Sequence, residues 1–318
     1  MANEPLIEVK DLVVRFPVGS GLKRQYIVPV NHVSFTIAPG EVVALVGESG
    51  SGKTTIGRAL VRILAPSGGS IHLGGVDVTK IKGKALVAYR KQIQMIFQDP
   101  YGSLNPVKTV ERHMRLPIRK HRQGREGAIG EQIDESLRTV GLTPVSEMRL
   151  KFPHELSGGQ RQRVAIARAL AVKPRVLVAD EPISMLDVSI RAEILHLLKQ
   201  LQQEYSLAYL YITHDLASAR YFGDRIMVMY GGQIMEAAPA DELVERPRHP
   251  YTRLLLAATP GAVHTGPLPE TSNRSPNLAE GRVGCPFADR CPHVMAICRT
   301  ENPPLLEQSA QHQVACHL

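Results

Sequence analysis

The residues Gly47-Glu48-Ser49-Gly50-Ser51-Gly52-Lys53-Thr54 read G-x-x-x-x-G-K-[ST], the spacing of a phosphate-binding loop. Their flanks supply the context that this spacing requires. Upstream, Glu41-Val42-Val43-Ala44-Leu45-Val46 is an apolar run too short for a helix and of the right length for a buried strand. Downstream, Ile56, Ala59, Leu60, Ile63 and Leu64 recur on one face of an amphipathic helix. Glycines let successive backbone N–H groups curl around phosphate oxygens, and the helix N-terminus adds partial positive charge. Lys53 is then expected to reach the terminal phosphates and the Thr54 hydroxyl to ligate Mg²⁺, with Ser49, Gly50, Gly52 and Thr55 completing the cradle. A glycine-rich turn that merely caps a helix would explain neither the full spacing nor both flanks. A nucleoside triphosphate is the expected ligand.

Further along, Val176-Leu177-Val178-Ala179-Asp180-Glu181 is a short apolar run ending in two acids. That is the pattern of a core strand delivering carboxylates to its C-terminal edge, where open α/β sheets bind ligands. Asp180 is expected to hold the Mg²⁺ environment and Glu181 to polarise the attacking water. Leu207 to Thr213 reads as another buried strand and ends at His214, well placed for a γ-phosphate. Ile93 to Phe97 is a third, broken by Gln98-Asp99-Pro100. Leu156-Ser157-Gly158-Gly159-Gln160 opens a helix that runs on from Arg161. Ser157 can cap it, and the glycines allow close approach of a phosphate. A second anion-shaped helix start, far from the first, is odd if both serve one nucleotide in one chain; an ordinary capped helix is the plain alternative.

The remaining pattern is a mixed one. Leu6 to Phe16, Val33 to Ile37 and Ser70 to Leu73 read as strands of an antiparallel sheet beside the nucleotide core, with Gly19, Gly21, Lys23 and Arg24 in a loop. Phe16 is the aromatic expected against an adenine ring and Tyr26 the alternate, a core aromatic being the competing account. From about Val107 to Leu170 the pattern is helical, with breaks at Pro117, Gly124, Gly130, Gly141 and Pro153. Arg225 to Tyr230, Gly231-Gly232 and Gln233 to Glu236 read as a hairpin closing the core. Beyond Ala237, Pro239, Pro247, Pro250, Pro260, Pro267, Pro269 and Pro276 punctuate a wrapping lobe with a short helix near Tyr251 to Ala258.

At 318 residues, 43% hydrophobic and 21% charged, the chain is expected to be globular. No run approaches the roughly 18 apolar residues of a membrane span, and Met1 to Pro5 carries no secretory signature, so a cytosolic chain that docks to embedded partners is expected. The net charge is +8, with a basic patch at Arg112, His113, Arg115, Arg119, Lys120, His121, Arg122 and Arg125. Such a patch is compatible with a solvated face, an anionic lipid surface or nucleic acid. All four cysteines, Cys285, Cys291, Cys298 and Cys316, lie in the C-terminal tail, which suggests a metal site rather than a disulfide scaffold.

Taken together these motifs resemble the ATP-binding subunits of ABC transporters, from about Leu6 to Glu236. Gly47 to Thr54 stands as the Walker A motif, Gln98 as the Q-loop glutamine, Leu156 to Gln160 as the LSGGQ signature, Val176 to Glu181 as Walker B, Ser184 to Asp187 as the D-loop and His214 as the H-loop histidine. The resemblance implies an α/β fold with a RecA-like P-loop core, an antiparallel β subdomain, a helical subdomain at about 100–170 bearing the signature, and a C-terminal extension from 237. It also implies head-to-tail pairing, in which each ATP lies between one subunit's Walker A and its partner's Ser157, Gly158, Gly159 and Gln160. Glu181, His214 and Gln98 are the implied catalytic residues, Thr54, Gln98 and Asp180 the Mg²⁺ environment, and Asp187 the D-loop contact.

Pro247-Arg248-His249-Pro250-Tyr251-Thr252, Leu254-Leu255 and Ala257 to Pro260 look like the extension of the dipeptide/oligopeptide (also nickel) importer ATPases, as do Ile96 to Pro100 and Ser103 to Pro106. The implied partners are two permease subunits, a second ATPase subunit (a copy or a paralogue) and an extracytoplasmic binding protein, with the chain peripheral on the cytoplasmic face of the membrane and no nucleic acid. The four-cysteine module at 285–318 is similar to one that holds a [4Fe–4S] cluster in some relatives. Four thiolates suit iron–sulfur or Zn²⁺; the spacing, Cys285-x₅-Cys291-x₆-Cys298-x₁₇-Cys316, is wider than common zinc modules and favours iron–sulfur as a structural clip, with His293, His312 and His317 as substitute ligands. A soluble ABC ATPase acting on nucleic acid or ribosomes is the second reading, and a P-loop kinase, against which the signature and D-loop speak, the third.

Overall fold

The computed structural model describes residues 4–19, 25–121, 128–258 and 276–318. Gly21, Lys23, Arg24, Arg122, Gly124, Arg125, Pro260, Pro267 and Pro269, named above, lie outside the described residues. In chain order the strands are β1 (Ile7–Val18), β2 (Gln25–Ile37), β3 (Val42–Val46), β4 (Gly68–Leu73), β5 (Val76–Asp77), β6 (Ile93–Ile96), β7 (Val176–Asp180), β8 (Ala208–Thr213), β9 (Arg225–Tyr230), β10 (Gln233–Pro239), β11 (Leu306–Ser309) and β12 (His312–Val314). The chain divides into two compact units, Met1–Thr79 with Tyr211–Leu318, and Lys80–Leu210.

The first unit holds the expected antiparallel sheet, in the order β2-β1-β4-β5. Ile7 lies opposite Ile37 on one side and Leu73 on the other, and all three are buried. A second set runs β11-β12-β10-β9-β3, with β3 parallel to β9 from Val43↔Arg225 to Val46↔Val228. Every residue of β3 is buried, as a strand covered on both faces requires. The helix Lys53–Leu60 follows the loop and buries Ile56, Ala59 and Leu60. It stops short of the sequence period: Arg62 takes φ 59, outside the helical region, and Ile63 is 50% exposed.

The C-terminal residues belong to this first unit. β12 pairs with β10 through Glu236↔Val314. Glu236 is fully buried, and its carboxylate accepts the N–H groups of Arg248 (2.7 Å) and His249 (3.1 Å) and faces His312 Nε2 at 2.7 Å. Upstream, Val28 N donates to Leu278 O and Glu280 N to Tyr26 O, so residues near 280 lie along β2.

In the second unit β6 runs parallel to β7, from Ile93↔Val176 to Ile96↔Ala179. The expected helical stretch resolves into Val110–Lys120, Ile129–Thr139, Val145–Leu150 and Gly158–Leu170, followed beyond β7 by Val188–Tyr205. Pro117 sits inside the first of these rather than breaking it. It forfeits one backbone bond near the helix end, where fully buried Met114 and Ile118 hold the turn. Gly130 likewise falls in a first turn, where its N–H needs no intrahelical partner. The basic patch is not one solvated face: His113 is buried and Arg115 pairs with Glu111 at 2.6 Å. No helix among the described residues is long and apolar enough to cross a membrane.

Candidate functional site

The phosphate loop folds around its own lysine. Lys53, buried, donates from Nζ to Gly47 O at 2.7 Å and Glu48 O at 2.9 Å, while Ser51 N donates to Glu48 O. Gly52 is a position where only glycine serves. Its φ is 110, and a Cβ there would stand 1.8 Å from Pro29 O. The turn after β9 braces the loop from outside, Gly232 N donating to Ser51 O. Ser49 and Gly50 are exposed at the loop tip, and Thr54 and Thr55 are half-buried on the first helical turn. Also in this unit, Phe16 is half-buried opposite Ile27, whereas Tyr26 lies under the Arg15 guanidinium at 5.1 Å. His214 is exposed just beyond β8, and the Asp215 carboxylate caps the next helix through Ala217 N and Ser218 N.

The second unit carries the acidic strand end. Asp180, 2% exposed, closes β7, and Glu181 follows with φ 45. That left-handed backbone is uncommon for glutamate and costs on the order of 1 kcal/mol or more. Gln98 Nε2 donates to Glu181 Oε2 at 3.0 Å, and Ser184 Oγ donates to Glu181 O at 3.0 Å, so the carboxylate is reached from the Q-loop and its backbone from the D-loop. Ser157 caps the helix Gly158–Leu170 as expected: its Oγ accepts from Gln160 N, and Gln160 Oε1 accepts from Ser157 N. A Cβ on Gly159 would meet Ile190 Cγ2 at 2.9 Å, and one on Gly158 would touch Leu186. Of the two, Gly159 is the one packed closely, against Ile190 on the helix that Asp187 opens. Asp187 is itself exposed, beside Met185 (57% exposed) and Val188 (80%).

The four cysteines are free thiols that line one small cavity together with His249 and Phe287. Burial pushes the Cys285 thiol up to about 11, with the other three cysteines adding in the same direction. Among the described residues no three of His, Cys, Asp or Glu gather at the spacing of a single metal ion. Of the substitute ligands, His293 and His317 border the cavity, but His312 does not: buried, it is committed to Glu236 on β10. Sequence reasoning missed two residues at the phosphate loop. Tyr251 accepts the Glu48 N–H at 3.0 Å, and Arg290 pairs with the Glu48 carboxylate at 2.8 Å. No local pattern links positions so far apart in the chain.

A family model described as "ABC transporter" matches residues 30–184, and one described as "Oligopeptide/dipeptide transporter, C-terminal region" matches residues 235–298. The chain is similar to the oligopeptide transport ATP-binding protein AppF of Bacillus subtilis (strain 168), 41% identical over 99% of this chain and 98% of that one. It is also similar to the di/tripeptide transport ATP-binding protein DppF of Pseudomonas aeruginosa (strain UCBPP-PA14), 42% identical over 99% and 98%. Among solved structures, a dimeric post-hydrolysis state of the ATP-binding cassette MJ0796 bound to ADP and Pi aligns with TM-score 0.66 and 29% identity, covering 74% of this chain and 98% of that chain.

Proposed function

Because this chain belongs to the ATP-binding subunits of ABC-type oligopeptide and dipeptide importers, we propose that it hydrolyses Mg-ATP between two such subunits laid head to tail and passes their closing and reopening to membrane-embedded permease chains. It is an ATPase with an α/β P-loop core, and the related dimeric cassette holding ADP and Pi supports the paired arrangement. The observation that carries the hydrolytic reading is the hydrogen bond from Gln98 Nε2 to Glu181 Oε2. It orients the carboxylate that polarises water and ties it to a residue that senses the γ-phosphate.

The other roles follow from chemistry. The Lys53 ammonium, now on loop carbonyls, exchanges them for β- and γ-phosphate oxygens; Ser49, Gly50, Gly52 and Thr55 line the cradle. Thr54, Gln98 and Asp180 supply the Mg²⁺ environment, and His214 meets the γ-phosphate. Phe16 takes the adenine, a choice favoured by the Arg15 guanidinium over Tyr26. Ser157, Gly158, Gly159 and Gln160 present the helix start to the partner's ATP, and Asp187 crosses the dimer seam, where exposed Met185 and Val188 offer apolar surface. A second ATPase subunit, two permeases and an extracytoplasmic binding protein complete the importer, with the chain peripheral on the cytoplasmic face and peptides as cargo.

The cysteine module is read in the same way. Four thiols facing one cavity suit a [4Fe–4S] cluster, which takes a four-cysteine set. Zn²⁺ held by the same four sulfurs, at about 2.3 Å each, is the alternative. Bound there, a cluster would act as a clip joining Cys285, Cys291, Cys298 and Cys316. Iron and sulfide content and visible absorbance of anaerobically purified protein test this, with C298S expected to lose all three signals.

Purification of this chain from its native membranes in mild detergent, with mass spectrometry of what accompanies it, tests the transport reading. Two polytopic permeases and a related ATPase are expected. Ribosomes or nucleic acid without any membrane protein would replace it with the soluble-ATPase reading.

A further inference from the structure

Glu48, inside the phosphate loop, is held at all of its polar groups. Its carbonyl accepts from Lys53 Nζ (2.9 Å) and Ser51 N. Its N–H donates to the Tyr251 hydroxyl at 3.0 Å, and its carboxylate meets Arg290 Nη1 at 2.8 Å. The two outer partners both come from the C-terminal extension. Arg290 ends the short turn Ala288–Arg290, its N–H bonded to Phe287 O, and Cys291 follows it directly. The guanidinium is only 12% exposed; it lies 5.6 Å from the Tyr230 ring centroid and 5.9 Å from that of Phe287. Tyr251 is fully buried, its ring 4.6 Å from Tyr230 and 5.3 Å from Phe287. Phe287 also lines the cavity that the four cysteines share. A rigid aromatic cluster therefore joins the cysteine module to the residue whose carbonyl anchors Lys53.

We propose that Arg290 is a positioning residue for the phosphate loop, and that through it the integrity of the cysteine module sets the affinity of this chain for ATP. The inference rests on ATP binding at this loop. Paired with Arg290, the Glu48 carboxylate is neutralised beside the site of a polyanion; unpaired, it would repel the phosphates and release the loop segment that holds Lys53. The neutralising charge is the essential part, which a lysine keeps, and the guanidinium adds contact with the Tyr230 and Phe287 rings.

The test is titration of the full-length chain with a fluorescent ATP analogue, alongside thermal melting and, in the assembled transporter, KM and kcat for ATP. R290Q is expected to weaken nucleotide binding about tenfold and raise KM with little change in kcat. R290K should recover most of the loss, and E48Q/R290Q should bind better than R290Q because the orphaned charge is gone. C291S should weaken binding too, and R290Q should add nothing in that background. Binding by R290Q within twofold of wild type overturns the proposal, as does a loss that R290K fails to recover or that multiplies with C291S. A wild-type chain that binds no nucleotide would instead remove the ATP-site reading, and this inference with it.

Discussion

Glu181, the proposed catalytic carboxylate, sits on an unusual backbone. At φ 45 it turns sharply out of β7, which brings its carboxylate to Gln98 and its carbonyl to Ser184. The apolar run and its two acids were plain in the sequence, but a left-handed glutamate is not a pattern of residue types, so neither the turn nor the Gln98 bond was legible there. Replacing Glu181 by glutamine keeps an acceptor for Gln98 and removes the proposed base. E181Q is expected to lower ATP turnover by at least about 100-fold while ATP binding persists, which a phosphate-release assay beside nucleotide titration would measure. Gly52 makes the opposite case, since the loop spacing announced it. With Pro29 O standing 1.8 Å from a Cβ and φ at 110, G52A should cost more than about tenfold in ATP affinity. Affinity within twofold of wild type would show that the loop tolerates a side chain there.

At the scale of elements, the signature helix Gly158–Leu170 stands on a capping box that the sequence displays openly, Ser157 with Gln160 three residues on. S157A is expected to destabilise the fold by about 1 kcal/mol through the lost cap, readable as a lower denaturation midpoint, besides weakening ATP-driven pairing. The helix Val110–Lys120 was harder to read. Pro117 suggested a break, yet the buried residues Val110, Met114 and Ile118 hold the turn together, an outcome of packing rather than of local propensity. His113 in that helix has its pKa lowered chiefly by burial, with Arg168 and Lys108 adding to the effect, and its Nε2 lies 3.1 Å from Asn105 O. In the unfolded chain it takes up a proton near pH 6.5; in the fold it resists until lower pH. The unfolded state therefore binds more protons as pH falls below about 6.5, and stability contributed by neutral His113 is lost over that window. Comparison of wild type and H113N in denaturant melts at pH 7.5 and 5.5 checks this. The wild type should lose more stability on acidification than the variant does.

Across the whole chain, the parts legible in advance are those built from neighbours in sequence: the strand–loop–helix of the phosphate loop, the β9–β10 hairpin, the order of the motifs. What stayed hidden is what long-range closure creates. The pairs Glu48–Arg290 and Glu236–His312 join residues separated by 242 and 76 positions, and only the folded chain shows that Arg290, next to Cys291, meets the phosphate loop at Glu48. His312 also shows how a residue type suggestive of metal ligation is consumed by a buried carboxylate instead. The account stands or falls on this chain being the hydrolytic motor of a membrane assembly. The decisive measurement is the rate of Mg-ATP hydrolysis by the complex purified from membranes through this chain, wild type against E181Q. The account predicts turnover in the wild type and a fall of at least about 100-fold in E181Q, with the same permease subunits present in both. Equal rates in the two complexes would contradict it.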